Sequence, residues 1–336
     1  MANLKGLRQG WAMSGARLVL VVTMAAGLLL SGAQAWAQSS PIQPAQTAAE
    51  RIELLRSQIK TAEDGHASQA EIGALWLKLG NRYQDVLEFA PAEDAFVRAA
   101  RLLRRTETQA AYVDALDGLG SLYLATGRDP EAEDAMRKVV GMYDAMGDGG
   151  HAADAEVTLA LVLLFEKRYG ESAIESGKAI QAFELRPQAD ASEPVSAYLA
   201  HSYALCYQGR AKEALGDTSR AMELVKAKLA ENSAEVAATW LARGVVEWRS
   251  GFPNEGEKAI GEALRTVRSR VDWPPVLRVN GELGVLRQYA ALLKDSHRKQ
   301  DAKQIEVQIA QLQGELPPAC SSCTVNVAAV GLGLLP

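Results

Sequence analysis

Apolar residues along this chain recur at helical spacing in paired blocks, and the block from Ala74 to Ala99 shows the pattern most fully. Trp76, Leu79 and Tyr83 fall on one face of a first helix, and Ala92, Phe96 and Ala99 on one face of a second. The small residues Gly80 and Ala92 let the two helices approach closely, and the large ones fill the space beside that contact. The succession returns downstream as Leu116, Leu119, Gly120 and Tyr123, then Ala132, Met136 and Val139. In that second unit Asp129 is read as the N-cap and Pro130 as the first helical residue, where a missing N–H costs no hydrogen bond. A third unit, about 153–183, carries Leu159, Ala160, Leu163, Tyr169, Ser172 and Ala179, so that Gly80, Gly120 and Ala160 stand forty residues apart. Gly209, Gly216, Ala221, Leu224 and Ala227 mark a fourth unit, and Trp240, Gly244, Gly251, Gly256, Ile260 and Ala263 a fifth. A sixth, about 275–312, has two amphipathic helices and little of the pattern beyond Ala302. Ahead of them Ile52, Leu55 and Ile59 define a lone helix whose apolar stripe caps the first unit, giving a capping segment over 48–72.

The order Trp76, Leu79, Gly80, Tyr83, Ala92, Phe96 resembles the tetratricopeptide repeat family. The resemblance spans roughly residues 73–312. It implies an all-α fold, a right-handed helical solenoid of five to six helix-turn-helix repeats, ending in a short non-helical tail over 313–336. It also implies a ligand surface in a concave groove lined by the first helix of each repeat. On this chain the groove residues are Asn81 in the first repeat, Asp117 and Ser121 in the second, Tyr203 and Arg210 in the fourth, Trp248 and Arg249 in the fifth, and Arg287 in the sixth. Asn81 directly follows the motif glycine, as in family members that clamp a peptide's terminal carboxylate. The other clamp residues are missing, since the second repeat offers Asp117 and Ser121. The expected groove is acidic and polar at its N-terminal end and aromatic with arginines towards the fourth and fifth repeats. Trp248, read simply as packing between repeats, is the alternative to Trp248 as a partner anchor.

The first forty residues change the picture. Lys5, Arg8 and Arg17 precede an apolar run from Leu18 to about Ala33, and no acidic residue occurs before Glu50. This is the order of a secretory signal peptide over 1–37, with Ala35-Trp36-Ala37 as the small-x-small cleavage site and Ala33-Gln34-Ala35 as a second choice. A periplasmic or secreted location follows, with 38–47 as a Pro-containing linker. An uncleaved anchor is the alternative, because Leu18 to Trp36 just reaches membrane-spanning length. The chain carries 36 basic and 41 acidic side chains, a net of −5. Removal of residues 1–37 takes away three cations, and the more acidic surface that remains disfavours nucleic acid and anionic lipid as partners.

Candidate chemistry is thin. Cys320 and Cys323 form a Cys-Ser-Ser-Cys motif, for which a disulfide is the default in an exported protein. A redox or metal-handling role for that pair is the alternative, although zinc needs two further ligands and thioredoxin-like chemistry a helix N-terminus. Cys206 reads as a small buried hydrophobe. The four histidines stand singly, without the i, i+4 spacing of a helical metal site. No catalytic motif is visible and no cofactor is indicated. The reading is therefore a non-enzymatic scaffold or adaptor of the bacterial cell envelope that binds a protein or peptide of unknown identity in its groove. A structural subunit using its convex face or self-association stands beside it.

Overall fold

A computed structural model describes residues 47–105, 109–186, 192–230, 233–271 and 275–314. The signal segment, most of the linker and the tail with Cys320 and Cys323 lie outside the described residues. Within them are thirteen α-helices and no strand. A single helix, α1 (Ala48–Asp64), comes before six helix pairs. These are α2 (Gln69–Asp85) with α3 (Phe89–Leu103), α4 (Gln109–Thr126) with α5 (Asp129–Met146), and α6 (Gly149–Phe165) with α7 (Tyr169–Glu184). There follow α8 (Ser192–Tyr207) with α9 (Ala211–Lys228), α10 (Ala234–Arg249) with α11 (Pro253–Ser269), and α12 (Pro275–Asp295) with α13 (Lys299–Gly314). The chain divides into two compact units, 47–162 and 163–314, and the division falls within α6. In the first unit helices consecutive in sequence from α1 to α5 pack together; in the second the same holds from α7 to α13. This is the tetratricopeptide-type helical repeat fold.

One register runs through all six pairs. Gly80, Gly120, Ala160, Ser202, Gly244 and Ala290 occupy the same place in their first helices, and Ala92, Ala132, Ser172, Ala214, Gly256 and Ala302 follow each of them by twelve residues in the second. None of these positions is larger than serine. Where the key residue is glycine the helices touch so closely that no Cβ fits: at Gly80 it would stand 2.7 Å from the Phe96 ring, and at Gly120 2.1 Å from the Met136 methyl. The fifth pair is tighter still, because a Cβ on Gly244 would meet the Gly256 carbonyl at 2.9 Å and one on Gly256 the Gly244 carbonyl at 2.6 Å. Glycine at Gly256 in place of the usual alanine thus lets backbone approach backbone. The fourth pair is held in register by Ser202 and Ala214 rather than by Gly209 and Gly216. Gly209 is a turn residue and Gly216 has open space where a side chain would be.

Seven residues after each key position the backbone turns left-handed, at Leu87, Gly127, Lys167, Gly209, Gly251 and His297, with φ between 61° and 97°. The next N–H reaches back five residues to a carbonyl of the first helix, as Arg128 to Tyr123 at 2.9 Å and Phe252 to Glu247 at 2.9 Å. That is the hydrogen bonding of a glycine-type helix stop, and it sets the entry angle of every second helix. Arg128, not Asp129, is the cap residue of α5, and Asp129 with Pro130 opens the helix; helix ends shift by such single residues. The lone helix α1 begins with a capping box between Thr47 and Glu50 and buries Ile52 and Ile59, with Leu55 half-buried.

The Gly244 and Gly256 contact predicts that Gly244→Ala or Gly256→Ala lowers unfolding free energy by about 1–3 kcal/mol through overpacking. Gly261→Ala, on the same helix but facing open space, is expected to be neutral or stabilising because alanine favours helix. Urea unfolding of the three variants checks the contrast.

Candidate functional site

In the second unit the first helices α8, α10 and α12 lie side by side. Both α8 and α10 are buried around most of their circumference, α10 even at Glu235 and Glu247. Tyr203, expected to line a groove, is 1% exposed, and Trp248 is 7% exposed. Tyr203 is corrected from a surface anchor to a packing residue, and of the two readings of Trp248 its burial favours packing between repeats. Trp248 donates from Nε1 to Ser296 Oγ at 2.7 Å and meets the Tyr289 ring edge-on at 6.1 Å between centroids. Beside them Arg298 lies 5.8 Å from the centre of the Trp248 ring and pairs with Glu257 at 2.9 Å, while the Tyr289 hydroxyl also donates to Glu257. The tryptophan thereby couples the fifth and sixth repeats.

At the C-terminal ends of these helices lies a partly accessible rim. Tyr207, Arg249 and Asp295 occupy one register position in three successive repeats, five residues beyond Ser202, Gly244 and Ala290. The Arg249 guanidinium lies 5.1 Å from the centre of the Tyr207 ring and 3.6 Å from Asp295. Tyr169, at the start of α7, stacks on Tyr207 with centroids 5.2 Å apart, and Gln288 Nε2 donates to the Tyr207 hydroxyl at 3.2 Å. Burial raises the Tyr207 phenol, and Arg249 and Gln288 pull it back. Arg249 is thus the one expected groove residue that sits on this rim. Arg287 is half-buried on α12, and loss of water lowers its pKa. Arg210 is exposed and caps the turn into α9, where it holds Glu213 at 2.6 Å. It shares its register with Arg128, Arg168 and Arg298, each of which grips an acid three residues on. Tyr207 escapes notice in the sequence because Gly209 and Gly216 suggest a false register for the fourth repeat, whereas the spacing of twelve between Ser202 and Ala214 marks the true one; Tyr169 and Asp295 stand in the third and sixth repeats, where no local pattern links them to Tyr207.

The first unit holds two other clusters. Asn81 is exposed and lines a pocket between α1 and α2. Asp117 and Ser121 are half-buried on α4. Near Asp117, the Tyr143 hydroxyl donates to Asp114 Oδ1 at 2.6 Å, and His151 stacks on the Tyr143 ring while bonding Asp148 at 2.7 Å. The bond to Asp148 raises the His151 pKa. Burial first, and then the Asp114 charge, push Asp117 up to about 6, with His151 acting in the opposite sense. No set of three His, Cys, Asp or Glu side chains among the described residues is placed to hold a metal ion. No described helix is long and apolar enough to cross a membrane.

Because folding raises the Asp117 pKa above its usual value near 3.8, ionising it opposes folding. The penalty is absent below about pH 4 and fully present above about pH 6. Asp117→Asn should therefore stabilise by about 1–2 kcal/mol at pH 7.5 and by nothing near pH 4, read from urea unfolding at both. An equal gain at the two pH values would show that ionisation is not the cause.

Comparison with known proteins finds no matching family and no similar curated sequence. Solved structures do match. The apo form of RapI aligns with a TM-score of 0.68 at 11% identity, over 88% of this chain and 99% of that one. Aspartyl phosphate phosphatase F from Bacillus subtilis aligns with a TM-score of 0.63 at 13% identity, over 79% and 68%. A Rap protein complexed with competence and sporulation factor aligns with a TM-score of 0.55 at 12% identity, over 91% and 98%. At these identities the likeness is one of fold, and it is a likeness to helical repeat proteins along most of the chain.

Proposed function

We propose that this protein is a non-enzymatic interaction adaptor of the bacterial cell envelope, exported by its N-terminal segment, which holds a segment of a protein partner at the rim of its second unit. The observation that carries this reading is the ladder of Tyr169, Tyr207, Arg249 and Asp295. Aromatic and arginine side chains dominate binding hot spots because they offer large rigid area and several donors at once. Here the tyrosines are pre-stacked and the arginine is positioned over a ring, so little side-chain freedom remains to be lost on binding. The long 3.6 Å approach of Arg249 to exposed Asp295 leaves the guanidinium able to exchange partners. The similar Rap structure holds competence and sporulation factor, which supports the idea that a fold of this kind accommodates a second molecule. The order of charge and hydropathy in residues 1–37 supports export.

Cross-linking capture in the native host, with Tyr207→Ala/Arg249→Ala beside the unaltered chain, tests the rim. Loss of one specific envelope protein from the variant's catch is expected, with Arg210→Ala retaining it. A catch unchanged by the double variant would move the partner elsewhere. Export is tested by fractionation and N-terminal mass spectrometry: a periplasmic or secreted form beginning at Gln38 is expected, and a cytoplasmic form retaining Met1 would end the envelope assignment.

A further inference from the structure

The surface between α1 and α2 runs against the charge of the molecule. The chain carries a net −5, yet Arg51, Lys78 and Arg82 converge on one open pocket of about 300 Å³. Several arginines of this protein pair with a carboxylate three or four residues away, as in Arg56 with Glu53, Arg98 with Asp94 and Arg220 with Glu223. Arg51 and Lys78 do not. Three and four residues from Arg51 stand Thr47, Ala48, Leu54 and Leu55; from Lys78, Ala74, Leu75, Asn81 and Arg82. Neither cation makes an ion pair among the described residues. Arg82 binds Asp85 at 2.7 Å, and Arg51 adds a weaker attraction to that same carboxylate. Asp85 thus interacts with two of the three cations.

The rest of the lining fits an anion with an apolar stem. Asn81 and Gln58 add amide donors. Leu54 and Leu55 form an apolar wall beside them, and Leu54 is 46% exposed although it belongs to a capping helix. A volume at the low end of ligand sites suits a small molecule rather than a large cofactor. We infer that this pocket is a binding site for a small oxyanion, carboxylate or phosphate, carried on a short alkyl chain. The oxyanion meets Arg51, Lys78 and Asn81, and the chain lies on Leu54 and Leu55. The site uses α1, outside the six helix pairs, and is independent of the partner rim.

Isothermal titration of the full chain with hexanoate, hexyl phosphate, inorganic phosphate and hexan-1-ol tests this. Roughly millimolar or tighter binding of at least one alkyl oxyanion is expected, tighter than that of inorganic phosphate or hexanol; the stronger of the two names the head group. Lys78→Ala and Arg51→Ala should each weaken it about tenfold, Lys78→Arg should restore it, and Lys212→Ala, on an exposed cation outside the pocket lining, should leave it unchanged. Leu54→Ser should weaken the alkyl ligands while sparing inorganic phosphate. All substituted positions are exposed, and circular dichroism confirms folding. Absence of binding, equal binding of hexanol, or indifference to both cation variants would overturn the proposal.

Discussion

The close approach of the two helices within each repeat is the constraint on which the rest depends. It is set by a pair of small residues twelve apart, and every large side chain finds its place relative to that contact. Phe96 shows how far the influence extends. Its ring fills the space left by Gly80 on α2 and by Gly118 on α4, so one side chain ties the first repeat to the second. In repeat arrays, stability is close to a sum of such intrinsic and nearest-neighbour terms. Widening one contact therefore weakens two interfaces.

Hydroxyls buried at or near these contacts are satisfied locally. Ser176 donates to the Ser172 carbonyl at 2.6 Å, Ser202 to that of Leu199 at 2.8 Å, and Thr218 to that of Leu215 at 3.2 Å. A buried hydroxyl bonded to its own helix removes a desolvation cost that an unpaired one would carry. The arginines at the turns act in a related way. Arg128 reaches Glu93 of the preceding repeat at 2.7 Å, and Arg298 reaches Glu257 at the same pair of register positions. Exposed pairs of this kind add little stability individually. Their shared register indicates that they fix the direction of the turn.

The candidate sites lie where side chains depart from this regularity. Burial of Tyr203 and Trp248 leaves the accessible chemistry of the second unit at the helix ends, where a tyrosine, an arginine and an aspartate succeed one another from repeat to repeat. In the first unit the departures are electrostatic: a carboxyl at Asp117 whose pKa is pushed up to about 6, and cations at Arg51 and Lys78 without a carboxylate one turn away.

The fold was legible in the sequence because helix packing demands small residues at fixed spacing, and Gly80, Gly120 and Ala160 announce that spacing. The lone helix before the pairs was legible in the stripe of Ile52, Leu55 and Ile59, because a helix at the end of an array must cover an apolar face. The fourth repeat could not be placed, since Ser202 and Ala214 resemble ordinary polar and apolar residues, and Gly209 and Gly216 invite a false register. The site was legible only in part. Sequence named Arg249 but also chose Tyr203, Trp248 and Arg210, because helical spacing gives a face and says nothing of what lies against it. Only the tertiary structure decided that Tyr203 and Trp248 are enclosed, that Arg210 serves a turn, and that Tyr169 meets Tyr207 across different helices. Those outcomes depend on packing between residues distant along the chain, and no local pattern encodes it.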